Sequence, residues 1–244
     1  MRNIKLTIQY EGTNYAGWQF QKNARSIQQV IQETLNRITG EKVNVIASGR
    51  TDSGVHALAQ AANFRTHSNI PLNKLQMALN SYLPKDIVIT KIAEASKGFN
   101  AQHDAASKIY CYSVVNGDFV SPFLRRYASR CFFPLDIGKM KRAAKYLAGR
   151  HDFKAFQATD DTDKNSVRTV ISIKIRKDPD ALRIYMEADG FLYNMARNIA
   201  GTLIEVGRGK FSVDQAKEIL EKRQRRLCGP TAPAKGLCLV KVKY

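Results

Sequence analysis

The amino-acid sequence predicts an α+β fold built on a mostly antiparallel mixed sheet. Several segments alternate apolar and polar residues, as strands with one covered face do. Others place apolar residues three and four positions apart, as amphipathic helices do. The two kinds of segment follow one another irregularly, and not in the strict alternation of a doubly wound parallel fold.

The first half of the chain contains four predicted strands and two predicted helices. A helix is expected after Ser26, a suitable N-cap with Gln29 three residues on, and it should stop at Gly40. A second helix is expected around residues 72–82, because Pro84 follows it. The strands are predicted at residues 4–10, 43–47, 60–65 and 87–92.

The pattern restarts at Lys108 and gives a second set of elements. Helices are expected from Met140 to Leu147, ended by Gly149, and at residues 192–206 and 212–222. The turn between two of the strands is Asp178-Pro179-Asp180. The strands are predicted at residues 109–115, 130–133, 170–176, 182–188 and 237–244.

These two sets predict two α/β halves, residues 1–104 and residues 105–244. No low-complexity linker divides them, so a shared, continuous sheet is expected. A cleft between such halves, lined by basic residues, is a natural place for a long substrate.

Charge gives the strongest indication of a partner. The chain has 39 Lys and Arg residues against 21 Asp and Glu residues, a formal net charge of +18, and a pI of about 9.9. Because the basic residues are spread along the chain, a folded nucleic acid that covers one face fits better than a small ligand. A generically basic soluble protein is the alternative, and an anionic membrane surface is disfavoured because no basic amphipathic helix with a bulky aromatic face is present.

The cysteines and the first residues indicate a reduced, cytoplasmic setting. Cys111, Cys131, Cys228 and Cys238 are far apart and form no C-x-x-C pair, which disfavours zinc and redox sites. The opening MRNIKLTIQYEG already alternates like a strand, and no window approaches eighteen uninterrupted apolar residues. The sequence therefore predicts a protein that is neither secreted nor membrane-spanning.

The stretch SGRTDSGVHA, residues 48–57, combines an Arg, an Asp and a His with two glycines. Asp52 is a candidate catalytic carboxylate. Asp-Ser-Gly also fits an aspartic-protease loop, but that chemistry needs a second carboxylate, which only a homodimer could supply here. Ser53 and His56 suggest a nucleophile and its base, although nothing nearby orients the His. A structural turn would explain the glycines but not the charged residues.

This loop resembles the signature loop of the TruA-type tRNA pseudouridine synthases. Four further stretches of the sequence agree with that family: YEGTNYAGWQFQ near the start, KIYCYSV, GFLYNMARNIAGTLIEVGRGK and GPTAPAKGLCLVKVKY. The match runs along the whole chain. The resemblance implies the pseudouridine synthase fold and the isomerisation of uridine in tRNA.

The resemblance also implies roles for five residues. Asp52 corresponds to the catalytic carboxylate, Tyr110 to the active-site tyrosine that stacks on the base, and Arg197 to the basic partner of the carboxylate. Arg50 corresponds to the residue that helps to extrude the target base. Leu237 corresponds to an apolar residue that lines the uracil pocket.

Sequence alone supports these roles unequally. A Tyr110 on a strand is more often a core residue, whereas Arg197 lies in an apolar helix and a buried Arg nearly always has a carboxylate partner. Trp18 and Phe191 are expected to be packing residues. His56 is expected to be a hydrogen-bonded loop residue.

Two positions depart from the family pattern. Gln102 stands where a basic residue is usual, and Ala196 stands where Val is common. The Ala is harmless, but the missing cation at Gln102 weakens or redirects a phosphate contact and so affects the choice of RNA.

The implied reaction breaks the bond between ribose and uracil N1 and rejoins the base through C5. It needs no metal, redox cofactor or hydrolytic water. The resemblance implies the anticodon stem-loop of several tRNAs as substrate and a homodimer that holds one tRNA across both subunits. The competing hypotheses are a non-catalytic RNA-binding protein of the same fold and a relative that modifies other sites or other RNAs.

Overall fold

A computed structural model of the 244-residue chain describes residues 1–158 and 165–244, which fall into two compact units. The first unit comprises Met1–Ala106 together with Leu239–Tyr244, and the second comprises Ser107–Cys238. The boundary between the units follows Ala106, and the final six residues belong to the first unit.

The sheet of the first unit is antiparallel. Strand β1 lies between β3 and β4, so that Leu6 pairs with Ala62 on one side and Ile92 on the other, and β2 pairs with β3. The elements of this unit are β1 (Arg2–Tyr10), α1 (Ile27–Thr39), β2 (Ile46–Ala47), β3 (His56–Thr66), α2 (Leu72–Tyr82) and β4 (Ile87–Ala95).

Both ends of helix α1 agree with the sequence prediction. Ser26 is the N-cap, and its hydroxyl oxygen accepts a hydrogen bond from the backbone N–H of Gln29 (3.3 Å). Gly40 ends the helix in the left-handed conformation, at φ 72°, and donates its N–H to Asn36 O. A residue with a Cβ is disfavoured in that conformation, so the helix stops there.

The predicted strand at residues 43–47 was too long, because only Ile46–Ala47 is strand. The preceding backbone is bonded to side chains of α1 instead of to a neighbouring strand. Asn36 Oδ1 accepts from Val43 N (2.9 Å), and Gln32 Oε1 accepts from Val45 N (3.1 Å). These amides therefore replace strand pairing at residues 43–45.

The second unit also has a mostly antiparallel sheet. Its strands follow the order β5, β9, β8, β7 with antiparallel pairing, and β6 pairs with β5 in parallel. The elements are β5 (Ser107–Asn116), β6 (Ser129–Cys131), α3 (Ile137–Leu147), β7 (Gly149–Asp152), β8 (Val167–Lys177), β9 (Leu182–Ala188), α4 (Met195–Gly207) and α5 (Gln215–Lys222). Strand β10 (Leu237–Lys243) begins in this unit and continues into the first.

Helices α3, α4 and α5 begin at residues other than those predicted. Helix α4 begins at Met195 and not at Leu192, because Asn194 has a left-handed backbone (φ 60°) that a helix interior does not allow. Helix α3 begins at Ile137, three residues before the predicted Met140, and ends at Leu147 as predicted. Gly149 is the first residue of β7, a strand that the sequence did not predict. The α+β class with a mostly antiparallel sheet is confirmed.

The turn at residues 178–180 is held by charge as well as by backbone. Asp178 N donates to Ala181 O (3.0 Å), and Arg183 bonds to Asp180 (2.9 Å) and to Asp178. The hydrogen bond from Arg176 lowers the pKa of Asp178 most, and the hydrogen bond from Arg183 lowers it further. Within the described ranges, no helix is long and apolar enough to cross a membrane.

Candidate active site

The loop SGRTDSGVHA joins β2 to β3, and its first residues are tied to β3. Ser48 N donates to Ala61 O (2.8 Å), and the buried Ser48 hydroxyl donates to Gln60 Oε1 (2.7 Å). Gln60 in turn donates from Nε2 to Gly49 O (2.9 Å). The start of the loop is thus fixed to a strand by three bonds on successive residues.

The second part of the loop is a tight turn. Val55 N donates to Asp52 O (3.1 Å), and Gly54 has φ 76°, where glycine is favoured. Ser53 Oγ and Gly54 N both donate to Tyr15 O, at 3.1 Å and 3.3 Å. The turn therefore rests on the backbone around Tyr15.

Residues 10–18, which belong to the YEGTNYAGWQFQ motif, form the support behind this loop. Trp18 N donates to Thr51 O (3.0 Å), and Tyr10 OH shares a buried hydrogen bond with Thr51 Oγ1 (2.8 Å). Trp18 is buried, as expected of a packing residue. Thr51, next to Asp52, is therefore held through both its backbone and its side chain.

Two glycines allow the support to approach the loop. A Cβ on Gly12 would lie 2.0 Å from Val55 O, and one on Gly17 would lie 2.4 Å from Thr51 O. Gly17 also has φ 86°. Any side chain at Gly12 would thus displace the loop that carries Asp52.

His56 is buried and holds the loop from its far end. Its Nδ1 accepts a hydrogen bond from Gly12 N (3.0 Å), which confirms the expectation of a hydrogen-bonded residue. Ser53 donates to Tyr15 O, so these bonds of Ser53 and His56 serve to fix the turn. The loop leaves Arg50 exposed and Asp52 half-buried.

The second unit carries Tyr110, Arg197 and Leu237. Tyr110 lies on β5 opposite Met186 of β9 and is buried. Its ring meets the half-buried Phe191 edge to face, with centroids 5.0 Å apart and planes at 83°. Phe191 thus packs as predicted, and its partner is the proposed active-site tyrosine.

Arg197 is half-buried in the first turn of α4. Its Nε donates to Ala232 O (2.7 Å), and its Nη1 donates to Asn194 Oδ1 (2.9 Å). Since Nε and Nη1 lie on different edges of the planar guanidinium, two bonds of this kind fix both its position and its plane.

The segment GPTAPAKG, residues 229–236, lies against α4 and positions Ala232. A Cβ on Gly201 of the helix would lie 1.9 Å from Pro230 O. Arg225 donates to Gly229 O (3.0 Å). It also donates to the side chains of Thr231 (2.9 Å) and Asn198 (3.0 Å).

The end of this segment leads into the buried Leu237. Tyr112 OH donates to Pro233 O (3.0 Å), and a Cβ on Gly236 would lie 2.7 Å from Tyr112 Cζ. Desolvation raises the pKa of the buried Tyr112 to about 12. Leu237 is therefore placed by a neutral tyrosine two residues along β5 from Tyr110.

A metal site is not formed by the usual ligands in the described part of the chain. Among these residues, no group of three or more His, Cys, Asp or Glu side chains could hold an ion. The four cysteines are free thiols, and three of them are buried.

Comparison with known proteins assigns the family. The family model described as tRNA pseudouridine synthase matches residues 6–104 and 143–244. The chain belongs to the tRNA pseudouridine synthase family. It is 47% identical to tRNA pseudouridine synthase A of Thermoanaerobacter sp. (strain X514) over 244 residues, covering all of both chains.

Other relatives in this family match over the same length. The chain is 48% identical to tRNA pseudouridine synthase A 2 of Clostridium perfringens (strain 13 / Type A) and 47% identical to tRNA pseudouridine synthase A of Acetivibrio thermocellus, each over all of both chains. As a member of the pseudouridine synthase family, the chain is an isomerase that acts on uridine in tRNA.

Sequence reasoning missed the residues that hold the candidate site residues in place. Thr51 and Gly12 fix the Asp52 loop, and Asn198 and Arg225 fix the segment that bonds to Arg197. All four lie in or beside the stretches that carry the family resemblance. That position was the signal that could have identified them.

Proposed function

We propose that the chain converts uridine to pseudouridine in the anticodon stem-loop of tRNA, with Asp52 as the catalytic carboxylate. The observation that carries this proposal is the Asp52 loop. Three bonds tie the start of the loop to β3, and residues 10–18 support the rest, so the half-buried carboxylate is held rigidly beside the exposed Arg50.

The reaction conserves every atom of the substrate. The bond from uracil N1 to the ribose C1′ breaks and a bond from C5 to C1′ forms, while a proton leaves C5 and N1 gains one. Asp52 must be ionised to act as nucleophile or base, and Arg197 favours the ionised form by opposing desolvation. This assignment requires that Asp52 and Arg197 act on the same uridine.

The remaining residues bind the substrate. A uridine in a stem must be flipped out at a cost of a few kcal/mol, and Arg50 fills the space that it leaves. Tyr110 stacks on the flipped base and offers its oxygen for proton transfer. Leu237 lines the uracil pocket. The scheme needs no cofactor, so activity on a prefolded stem-loop should survive exhaustive EDTA treatment.

The decisive test replaces Asp52 with Asn, which keeps the size of the side chain and removes its charge. Asp52→Asn should make no detectable pseudouridine while it retains tRNA affinity and its melting temperature. Asp118→Asn, at an exposed position, is the charge-matched control and should be fully active. Turnover by Asp52→Asn, in a preparation shown free of wild-type enzyme, would exclude Asp52 as the catalyst.

The substrate is tested with short RNAs. An isolated anticodon stem-loop should be modified, and a stem-loop from another arm of the same tRNA should not, as mapped by carbodiimide-stopped reverse transcription. RNA binding without any pseudouridine in either RNA would instead support the non-catalytic alternative.

We further infer that the protein is a homodimer in the cytoplasm, where its tRNA substrate resides. The dimer is supported by an unusual set of exposed aromatic side chains in one segment of the second unit: Phe119, Phe123, Phe132 and Phe133 are 87%, 86%, 69% and 54% exposed. Such surfaces mark interaction sites in soluble proteins. Sedimentation equilibrium should give a dimer for the wild type, and Phe123→Ser should weaken it. A monomer at tens of micromolar protein would contradict this inference.

A further inference from the structure

Lys108 lies on the same strand and the same face as Tyr110. Successive side chains of a strand point to opposite faces, so residues two apart share one face and are separated by about 7 Å. Lys108 pairs with Ala188 across the ladder, and Ala188 is followed by Asp189 and Gly190. The side chain of Lys108 therefore leaves the strand on the same face as the tyrosine that is proposed to hold the uracil.

Two cations and one carboxylate meet at this position. Burial lowers the pKa of Lys108, the charge of Arg168 lowers it further, and Asp189 offsets part of the effect. Arg168 lies against the backbone before Phe191, since a Cβ on Gly190 would be 3.3 Å from Arg168 Nε. Asp189 Oδ1 accepts a hydrogen bond from Thr169 N (3.0 Å), so this carboxylate is also bonded to the backbone of β8.

The ammonium group of Lys108 is on a half-buried side chain. Among the residues that the structure describes, Lys108 Nζ makes no hydrogen bond or ion pair. A partly buried ammonium beside a second cation is unfavourable in the free protein. An anion that accepts a hydrogen bond from the ammonium group would offset this cost, and phosphate is the anion that a nucleic acid supplies.

We propose that Lys108, with Arg168 beside it, binds the phosphate of the uridine whose base lies on Tyr110. The inference rests on the proposed function and adds to it a binding residue for the flipped nucleotide. An ammonium group presents three donors to phosphate oxygens. The contact would fix the sugar and phosphate while the base detaches, turns and rejoins.

The test combines a charge-deleting variant with a charge-deleted substrate. Lys108→Met keeps most of the apolar stem and removes the ammonium, and Lys174→Met, at an exposed site on β8, is the matched control. Each variant is assayed on an anticodon stem-loop with a natural phosphate or with a single neutral methylphosphonate next to the target uridine. Melting temperatures establish that each variant is folded.

We expect the loss of the ammonium and the loss of the phosphate charge to lower kcat/KM by no more together than singly, because both remove the same contact. Losing a hydrogen bond to a charged group costs about 1.5–3 kcal/mol, so Lys108→Met should lower kcat/KM on the natural RNA roughly 10- to 100-fold. The methylphosphonate should lower kcat/KM of the wild type and of Lys174→Met by a similar factor, and that of Lys108→Met by less than about threefold. The salt dependence of RNA binding should also fall by about one phosphate contact in Lys108→Met alone.

Two outcomes would overturn the inference. One is an equal methylphosphonate penalty in the wild type and in Lys108→Met at every position tested. The other is unchanged kcat/KM in Lys108→Met. Failure of the proposed function looks different, because the wild type would then form no pseudouridine on the natural stem-loop.

Discussion

The Asp52 loop and the segment at residues 229–236 are both irregular backbone held against regular elements, but they are held by different groups. The loop is fixed by a set of backbone-to-backbone bonds as well as by side chains such as those of Gln60 and Tyr10, and Gly12 and Gly17 allow the close approach of its support. The segment is fixed largely by side chains that reach its carbonyl oxygens, those of Arg225, Arg197 and Tyr112.

This difference determines which substitutions each region tolerates. Backbone contacts do not depend on side-chain identity, so the loop is sensitive where a side chain is added. Side-chain contacts vanish with their donor, so the segment is sensitive where a side chain is removed. Truncation of these donors should therefore damage the segment, whereas an added side chain should damage the loop at Gly12 and also the segment at Gly201.

The largest effect is expected from Gly12→Ala. The new Cβ would lie 2.0 Å from Val55 O, so the loop must move. Overpacking costs about 1–3 kcal/mol and occasionally more, and so close an approach to backbone belongs at the upper end of that range. Urea unfolding and pseudouridine formation should both show severe losses. Gly98→Ala is the control, because nothing lies within 4 Å of its Cβ; similar losses in both variants would refute the close-approach explanation.

A smaller loss is expected from Arg225→Met, which removes two hydrogen bonds to residues 229–231 and a third to Asn198 on α4. Because partly buried acceptors lose a charged donor, the free energy of unfolding should fall by about 2–3 kcal/mol. The adjacent Arg226 is exposed, so Arg226→Met makes the same charge change without that loss. Equal stability of the two variants would show that the segment is held by backbone alone.

Alkaline pH should weaken the second unit through Tyr112. Burial raises the pKa of Tyr112 to about 12, above the ordinary tyrosine value of about 10 in the unfolded chain. The folded protein keeps a proton that the unfolded chain releases, so this contribution is complete below pH 10 and is lost as pH rises toward 12.

The expected decrease in the free energy of unfolding is about 1 kcal/mol between pH 10 and pH 11. Tyr112→Phe should be less stable at neutral pH but flatter across this interval in urea titrations. Tyr82→Phe, at an exposed position, should keep the wild-type slope. A wild-type slope in Tyr112→Phe would assign the alkaline transition to other groups.

The smallest effect is expected from Tyr10→Phe, which removes the hydroxyl that shares a hydrogen bond with Thr51 and leaves the backbone bonds of the loop in place. Loss of one neutral hydrogen bond lowers stability by about 1 kcal/mol. Pseudouridine formation should fall only slightly, which single-turnover assays can resolve. Complete inactivation would show that the side chain of Thr51, and not the backbone, sets the position of Asp52.

The sequence was sufficient where structure depends on neighbours in the chain. Ser26 and Gly40 marked both ends of α1 because capping is local chemistry. Residues 43–45 were predicted as strand because their β-branched residues fit one, yet their partners are amides of α1 seven to thirteen residues away. No local pattern records such contacts.

The same limit applied to the candidate site. The family resemblance supplied Asp52 and Arg197, but periodicity did not reveal that Ala232 O bonds to Arg197 across 35 positions. No sequence pattern singled out Lys108, the first residue of the KIYCYSV motif. Its burial and the nearness of Arg168, which lower the pKa of Lys108, become visible only in the folded structure.

The path of β10 has a consequence for synthesis of the protein on the ribosome. Residues 239–244 belong to the first unit, yet they are translated after the whole of the second. They supply the bond from Tyr244 OH to Ala101 O (3.0 Å), the bond from Ala106 N to Lys243 O (2.9 Å) and the ring beneath the ammonium of Lys5. The unit that begins first is therefore finished last, and a nascent chain cannot complete its Asp52-bearing half until both halves have been made.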